Sequence, residues 1–204
     1  MLPRLVFLWN HSELDAVKKL GSKALELIIV ICIPASIGIF ALAPQIVRLI
    51  FGMDFLPCIL TLKIFAPFVL ISTVGNLYGT QLLMTFDEEK ILFITVSVGA
   101  LLNMSLNLFL IPKMEQNGAT IASVVTEAIV LCLQIYFVNK QVKLKCRLHF
   151  LKTLFIMTTV MILYLMIIVN FLDDDISVIV CSIFGSGCIY LILGILLKNE
   201  AILY

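Results

Sequence analysis

Charge is scarce in this sequence: Asp, Glu, Lys and Arg make up 13% of its 204 residues, against 62% that are hydrophobic. A soluble domain of that composition would have too little polar surface to cover itself. Only two histidines occur, His11 and His149, and both fall in polar segments, so no buried histidine proton relay is implied. The six cysteines include no C-x-x-C pair, and no disulfide framework follows from them. Cys146 and His149 have C-x-x-H spacing, yet two ligands without a second pair make a poor zinc centre. A nucleophile elbow, a phosphate-binding glycine loop and a zinc-binding helix pair are all missing. The sequence therefore assigns no catalytic residue, no cofactor-binding residue and no metal ligand, and the chain does not read as an enzyme. Transport or scaffolding remains.

What is abundant is uncharged apolar sequence in long runs. Leu27–Val47, Ile64–Phe86, Ile91–Pro112, Thr153–Leu172 and Ile176–Leu197 contain no charged residue, and Gly118–Val138 contains only Glu127. Each is near or above the ~20 residues that cross a hydrocarbon core. Membrane β-strands would show alternating segments of ~10 residues instead of continuous runs. The fold class is all-α, a polytopic membrane protein with six transmembrane helices. Leu2–Trp9 is too short for a signal-peptide core and has no small-residue cleavage site after it. It reads as the cytoplasmic end of a preceding membrane helix, followed by a helix start that Ser12 would cap.

Lys and Arg in the short loops set the orientation, because cytoplasmic loops carry the excess. Eleven bases fall on one side, including Lys18, Lys19, Lys23, Lys140, Lys143, Lys145, Arg147, Lys152 and Lys198; the other side has Arg48 and Lys113, with Asp173, Asp174 and Asp175 in its last loop. Both termini are expected in the cytoplasm. The chain then divides into a cytoplasmic segment (1–24), a four-helix membrane part (25–139), a basic cytoplasmic loop (140–152) and a terminal helix pair with a short tail (153–204). The basic loop is expected to lie on anionic headgroups, each base contributing about 1 kcal/mol. With a net charge of +1 split so unevenly across the membrane, lipid is the expected partner and nucleic acid is not.

Prolines and polar residues inside the runs mark where the helices depart from simple spans. Pro34 and Pro44 lie in the first and Pro67 in the second, where it leaves the carbonyl of Lys63 without its usual partner, so kinks are expected there. Asn103 and Asn107 share one face of the third span with Gly99. The fourth carries Ala119, Ser123 and Glu127 at the same spacing. Asn103 and Glu127 both come out roughly 12–14 Å from the outer end at 1.5 Å per residue. A carboxylate at that depth costs about 2.5–3.5 kcal/mol unless it is protonated, paired or facing water. Glu127 therefore either bonds Asn103 or Thr126 to fasten the two spans together, or takes part in proton coupling. Lys63 either snorkels to the outer interface or faces an aqueous cavity that holds phosphate. Asn76 and Gln81, on the cytoplasmic half of the second span, are further substrate-pathway candidates.

Six short patterns in order then point to a family. Ile33-Pro34-x3-Gly38, Ile50-Phe51-Gly52-x-Asp54-Phe55, Leu62-Lys63-Ile64-Phe65-Ala66-Pro67, Asn76-x2-Gly79-Thr80-Gln81-x-Leu83, Asn103-x3-Asn107-x-Phe109-Leu110-Ile111-Pro112 and Gly118-Ala119-x-Ile121-Ala122-x3-Thr126-Glu127 resemble the C-terminal half of bacterial polysaccharide flippases. These are O-antigen, capsule and teichoic-type exporters of the multidrug/oligosaccharidyl-lipid/polysaccharide superfamily. Glu115 departs from the pattern, standing where the family usually has a glycine. The resemblance covers about Leu2–Lys140 and implies a two-lobed transporter of the bacterial cytoplasmic membrane, working by alternating access. The first four spans would belong to the second lobe, and the last two would be an added pair. The first lobe and two helices of the second would be missing partners, alongside other polysaccharide-assembly membrane proteins. The substrate implied is an undecaprenyl-pyrophosphate-linked oligosaccharide, with Lys63, Asn76, Gln81, Asn103, Asn107 and Glu127 along its path. A drug/cation antiporter of the same superfamily and a non-transporting scaffold or half-transporter are the alternatives.

Overall fold

In a bilayer no water is available to satisfy peptide groups, so an apolar chain folds into helices that satisfy them internally. The computed structural model describes residues 1–172 and 174–197 and is helical almost throughout, with no strand among the described residues. Asp173 and Lys198, counted above in the outer loop and the tail, lie outside the described residues. The order is α1 (Leu2–Asn10), α2 (Leu14–Ile50), a 3-10 turn (Met53–Phe55), α3 (Cys58–Phe65), α4 (Phe68–Asn76), a π-helical segment (Leu77–Leu83), α5 (Glu89–Gln141), α6 (Leu148–Phe171) and α7 (Asp175–Leu196).

Among the described residues five stretches are long and apolar enough to cross a membrane, and α5 holds two of the six expected spans. Its turning point is Glu115, the single non-helical residue inside it (φ 50°, ψ −128°). In a straight helix Gly99 and Val130 would stand roughly 46 Å apart at 1.5 Å per residue. Instead a Cβ placed on Gly99 would meet Val130 at 2.5 Å, so the two halves run back along each other. Glu115 occupies the first central position of a type II′-like turn, a conformation that suits glycine and costs an L-residue about 1–3 kcal/mol. The departure noted in the sequence is thus a strained one. Glu115→Gly is expected to stabilise the protein by about 1 kcal/mol after the added flexibility of the unfolded chain is subtracted, read as a higher melting temperature in detergent.

Two compact units divide the chain: Met1–Ile29 with Pro67–Cys146, and Val30–Ala66 with the residues from Arg147 onward. In the first, Leu5, Val17, Leu25, Leu77, Tyr78, Leu82, Leu83 and Val138 form the core. Ser12 does not cap α2 as its sequence context suggests. It sits at φ 59° and closes α1, where the Glu13 N–H donates to the Leu8 carbonyl at 3.0 Å, and α2 begins at Leu14. After α5 the chain runs extended along the start of α2. Lys145 N–H donates to Ser22 Oγ at 3.1 Å, and Leu144 packs so closely on Gly21 that a Cβ there would lie 2.8 Å away. Lys140–Lys145 and Lys18–Lys23 therefore lie on the same side, as the distribution of bases requires. Burial, and secondarily Glu26, push the Cys146 thiol up.

In the second unit, α6 and α7 form a hairpin. Tyr164 packs against Gly185, where no Cβ would fit, and its hydroxyl donates to the Cys181 carbonyl at 3.0 Å. Asp174 caps α7 by accepting from the Ser177 N–H at 2.9 Å and from its hydroxyl at 2.8 Å. These bonds hold the Asp174 carboxyl below its usual range. Arg48, at the end of α2, makes a two-pronged pair with Asp175 at the start of α7: Nε donates at 2.8 Å and Nη2 at 2.5 Å. The pair needs both ends on one side of the membrane. It is about one-third exposed on the arginine side, so Arg48→Ala is expected to cost only about 1 kcal/mol of stability, measured by thermal denaturation against wild type.

The prolines act unequally. α2 continues through Pro34 and Pro44, whereas the second span breaks at Pro67 between α3 and α4. There the freed Lys63 carbonyl is approached by the Ala66 N–H at 3.4 Å, a 3-10-type contact at the helix end.

Candidate functional site

Three helical segments of the first unit leave a cavity of 620 Å³ between them. α4 and the π segment contribute Ser72, Gly75, Asn76 and Thr80; the first half of α5 contributes Gly99 and Asn103; its second half contributes Ser123, Thr126, Glu127 and Gln134. Small residues set the spacing. Thr126 and Val130 close on Gly99, while Glu127 and Gln134 point at Gly75 and Gly79. A Cβ on Gly75 would stand 3.4 Å from Glu127 Oε1, and one on Gly79 would stand 2.7 Å from Gln134 Nε2.

Of the six residues singled out in the sequence, the cavity brings together Asn76, Asn103 and Glu127. Asn107 joins indirectly, its Nδ2 donating to Asn103 Oδ1 at 2.7 Å. Gln81 faces away, into a second cavity of 440 Å³ that it shares with Ser72, Thr73 and Asn76. Lys63 belongs to the other compact unit, where its ammonium lies 5.6 Å from the centre of the Phe40 ring. That contact uses the ammonium in a cation–π interaction while the aliphatic stem stays in apolar surroundings.

The bond expected from Glu127 to Asn103 or Thr126 is not formed. Asn103 Oδ1 accepts from Asn107 Nδ2, the Asn103 amide makes no bond to Glu127, and Thr126 Oγ1 is buried without a partner. Among the described residues Glu127 has no hydrogen bond or ion pair, and it lines the cavity, so of the ways to accommodate a carboxylate at that depth, facing a polar cavity is the one in place. Gln134 was overlooked in the sequence although it continues the stripe of Ser123 and Glu127 one further pair of turns. It is 4% exposed and its Oε1 has no partner. Glu26 was also passed over, as a flank of the first apolar run; the fold buries it to 2% exposure.

Chemically the cavity offers neutral amides and hydroxyls that can bond a polar group, with one carboxylate, that of Glu127. Among the described residues no three of His, Cys, Asp and Glu are grouped to hold a metal ion. A family model described as the lipid II flippase MurJ matches residues 1–184. The chain belongs to that family. It is a transporter family of the bacterial inner membrane rather than a family of enzymes, and five helices apolar enough to span fit a multi-pass protein. The solved structure of lipid II flippase MurJ in an inward closed conformation has the same fold, with a TM-score of 0.75 at 18% identity over 96% of this chain. The chain spans 42% of the length of that structure. No curated protein matches. The match to MurJ upholds the exporter superfamily suggested by the order of sequence patterns and lies on its lipid II side, while the polysaccharide exporters share the superfamily.

Proposed function

We propose that the chain supplies the C-terminal part of a flippase that carries a polyprenyl-pyrophosphate-linked saccharide from the inner to the outer leaflet by alternating access. The observation that carries this reading is the MurJ family match over residues 1–184. The cavity supports it: Ser72, Asn76, Thr80, Asn103, Ser123 and Gln134 present the neutral donors and acceptors that a sugar needs, and the polyprenyl tail can remain in lipid while the head group crosses. A lipid II-like disaccharide-peptide and a polysaccharide repeat unit both fit that chemistry. Glu127 is the coupling residue in this reading, and Asn76, Asn103 and Asn107 line or brace the path.

Depleting the protein from its own cells tests the proposal. Lipid-linked precursor is expected to accumulate on the cytoplasmic leaflet, and restoring the natively encoded protein should return it to the outer leaflet. Unaltered precursor distribution with a new sensitivity to cationic drugs would favour an antiporter instead, for which a free carboxylate in a cavity is also the required group. Lys63→Ala is expected to leave precursor translocation unchanged, because its ammonium is engaged with Phe40; a loss of translocation at full expression would put Lys63 on the substrate path.

A further inference from the structure

The second span is π-helical where it passes between the two cavities. An i→i+5 segment such as Leu77–Leu83 accommodates a surplus residue relative to the α-helical ladder, and such segments are frequent at functional sites. Thr80 lines the cavity that contains Glu127, and the adjacent Gln81 lines the other. Neighbouring helical residues diverge by about 100°, so a one-residue shift of register would carry Gln81 into the place of Thr80. The same shift would carry Thr80 into the place of Gly79. That place is closed: even a methyl on Gly79 would stand 2.7 Å from Gln134 Nε2 and 2.9 Å from its Oε1. What closes it is the tip of a flexible side chain, which can swing aside. The Oε1 atoms of Gln81 and Gln134 are both buried without partners in the present register. A register that met either acceptor would be favoured by doing so.

We propose that Leu77–Leu83 is a register switch latched by Gln134 in the notch of Gly79, and that releasing the latch exchanges the Thr80 hydroxyl for the Gln81 amide at the Glu127 cavity. Its use in transport rests on the flippase reading, whereas the switch itself can be read without transport.

The test uses the natively encoded protein in nanodiscs with its native cysteines replaced by alanine, and carries a single cysteine through Thr80→Cys or Gln81→Cys. Labelling by a small water-soluble methanethiosulfonate is timed with and without Gln134→Ala. If the shifted register is a minor state of about 1–10%, removing the latch should change the ratio of the Gln81→Cys to the Thr80→Cys labelling rate about tenfold. An unchanged ratio, including parallel acceleration at both positions, overturns the switch. A second variant guards against misfolding. Deleting Leu77 should leave a folded protein, because an i→i+4 ladder then replaces the i→i+5 one, whereas deleting Ile71 from the regular turns of α4 should not. Equal damage from the two deletions also overturns it. If the labelling result holds while precursor translocation is absent, the flippase reading fails and the switch stands.

Discussion

Glu127→Gln in the natively encoded protein is expected to fold as well as wild type and to translocate its lipid-linked precursor at least about tenfold more slowly, a loss of about 1.4 kcal/mol in the transport barrier. Folding should survive because the carboxylate contributes no bond that glutamine would lose: among the described residues Glu127 has no partner, and the amide is nearly isosteric. Transport should suffer because glutamine cannot take up a proton. A carboxylate inside an apolar span is tolerated where it faces a polar cavity, and Glu127 does so without a structural bond that would account for it. The measurement is precursor exposure on the outer leaflet at matched expression, together with the thermal midpoint of the purified protein. Wild-type translocation across pH would remove the coupling role. A lowered midpoint with proportionally lowered translocation would return Glu127 to a structural part.

Gly118→Ala should be the most damaging single methyl in the chain, costing about 3 kcal/mol and cutting the yield of folded protein sharply. A Cβ at this position would run into the backbone carbonyl of Leu110, whose oxygen and carbon are its two nearest atoms, and would lie 3.0 Å from the Ile111 nitrogen. Backbone cannot swing aside as the Gln134 side chain can at Gly79. The methyl therefore has to prise open the hairpin that brings Asn103 to Glu127. Thermal denaturation and size-exclusion profiles of the variant in detergent would show it. Near-wild-type stability would mean that the turn relaxes freely, and the strain assigned to Glu115 would then lose its support as well.

The helical class and the membrane-spanning runs were legible because they depend on a local quantity, the length of the uncharged runs. The bond expected of Glu127 was not, since a shared depth and a shared face do not decide which side chains come within reach; Asn107 pairs with Asn103. Gln134 escaped notice because its importance comes from Gly79 on a different span. The π-helical turns were invisible for the same reason, as Leu77–Leu83 contains nothing that differs in composition from an ordinary helix.

By itself the sequence determined that this chain crosses a membrane as helices, because desolvating peptide groups and charges costs so much, while the order of its short patterns carried the resemblance to an exporter superfamily. Tertiary structure decided which polar residues meet. Asn76, Asn103 and Glu127 share a cavity, Gln81 faces another and Lys63 lies in a separate unit, because glycine contacts between helices distant in sequence fix how the helices rotate against one another.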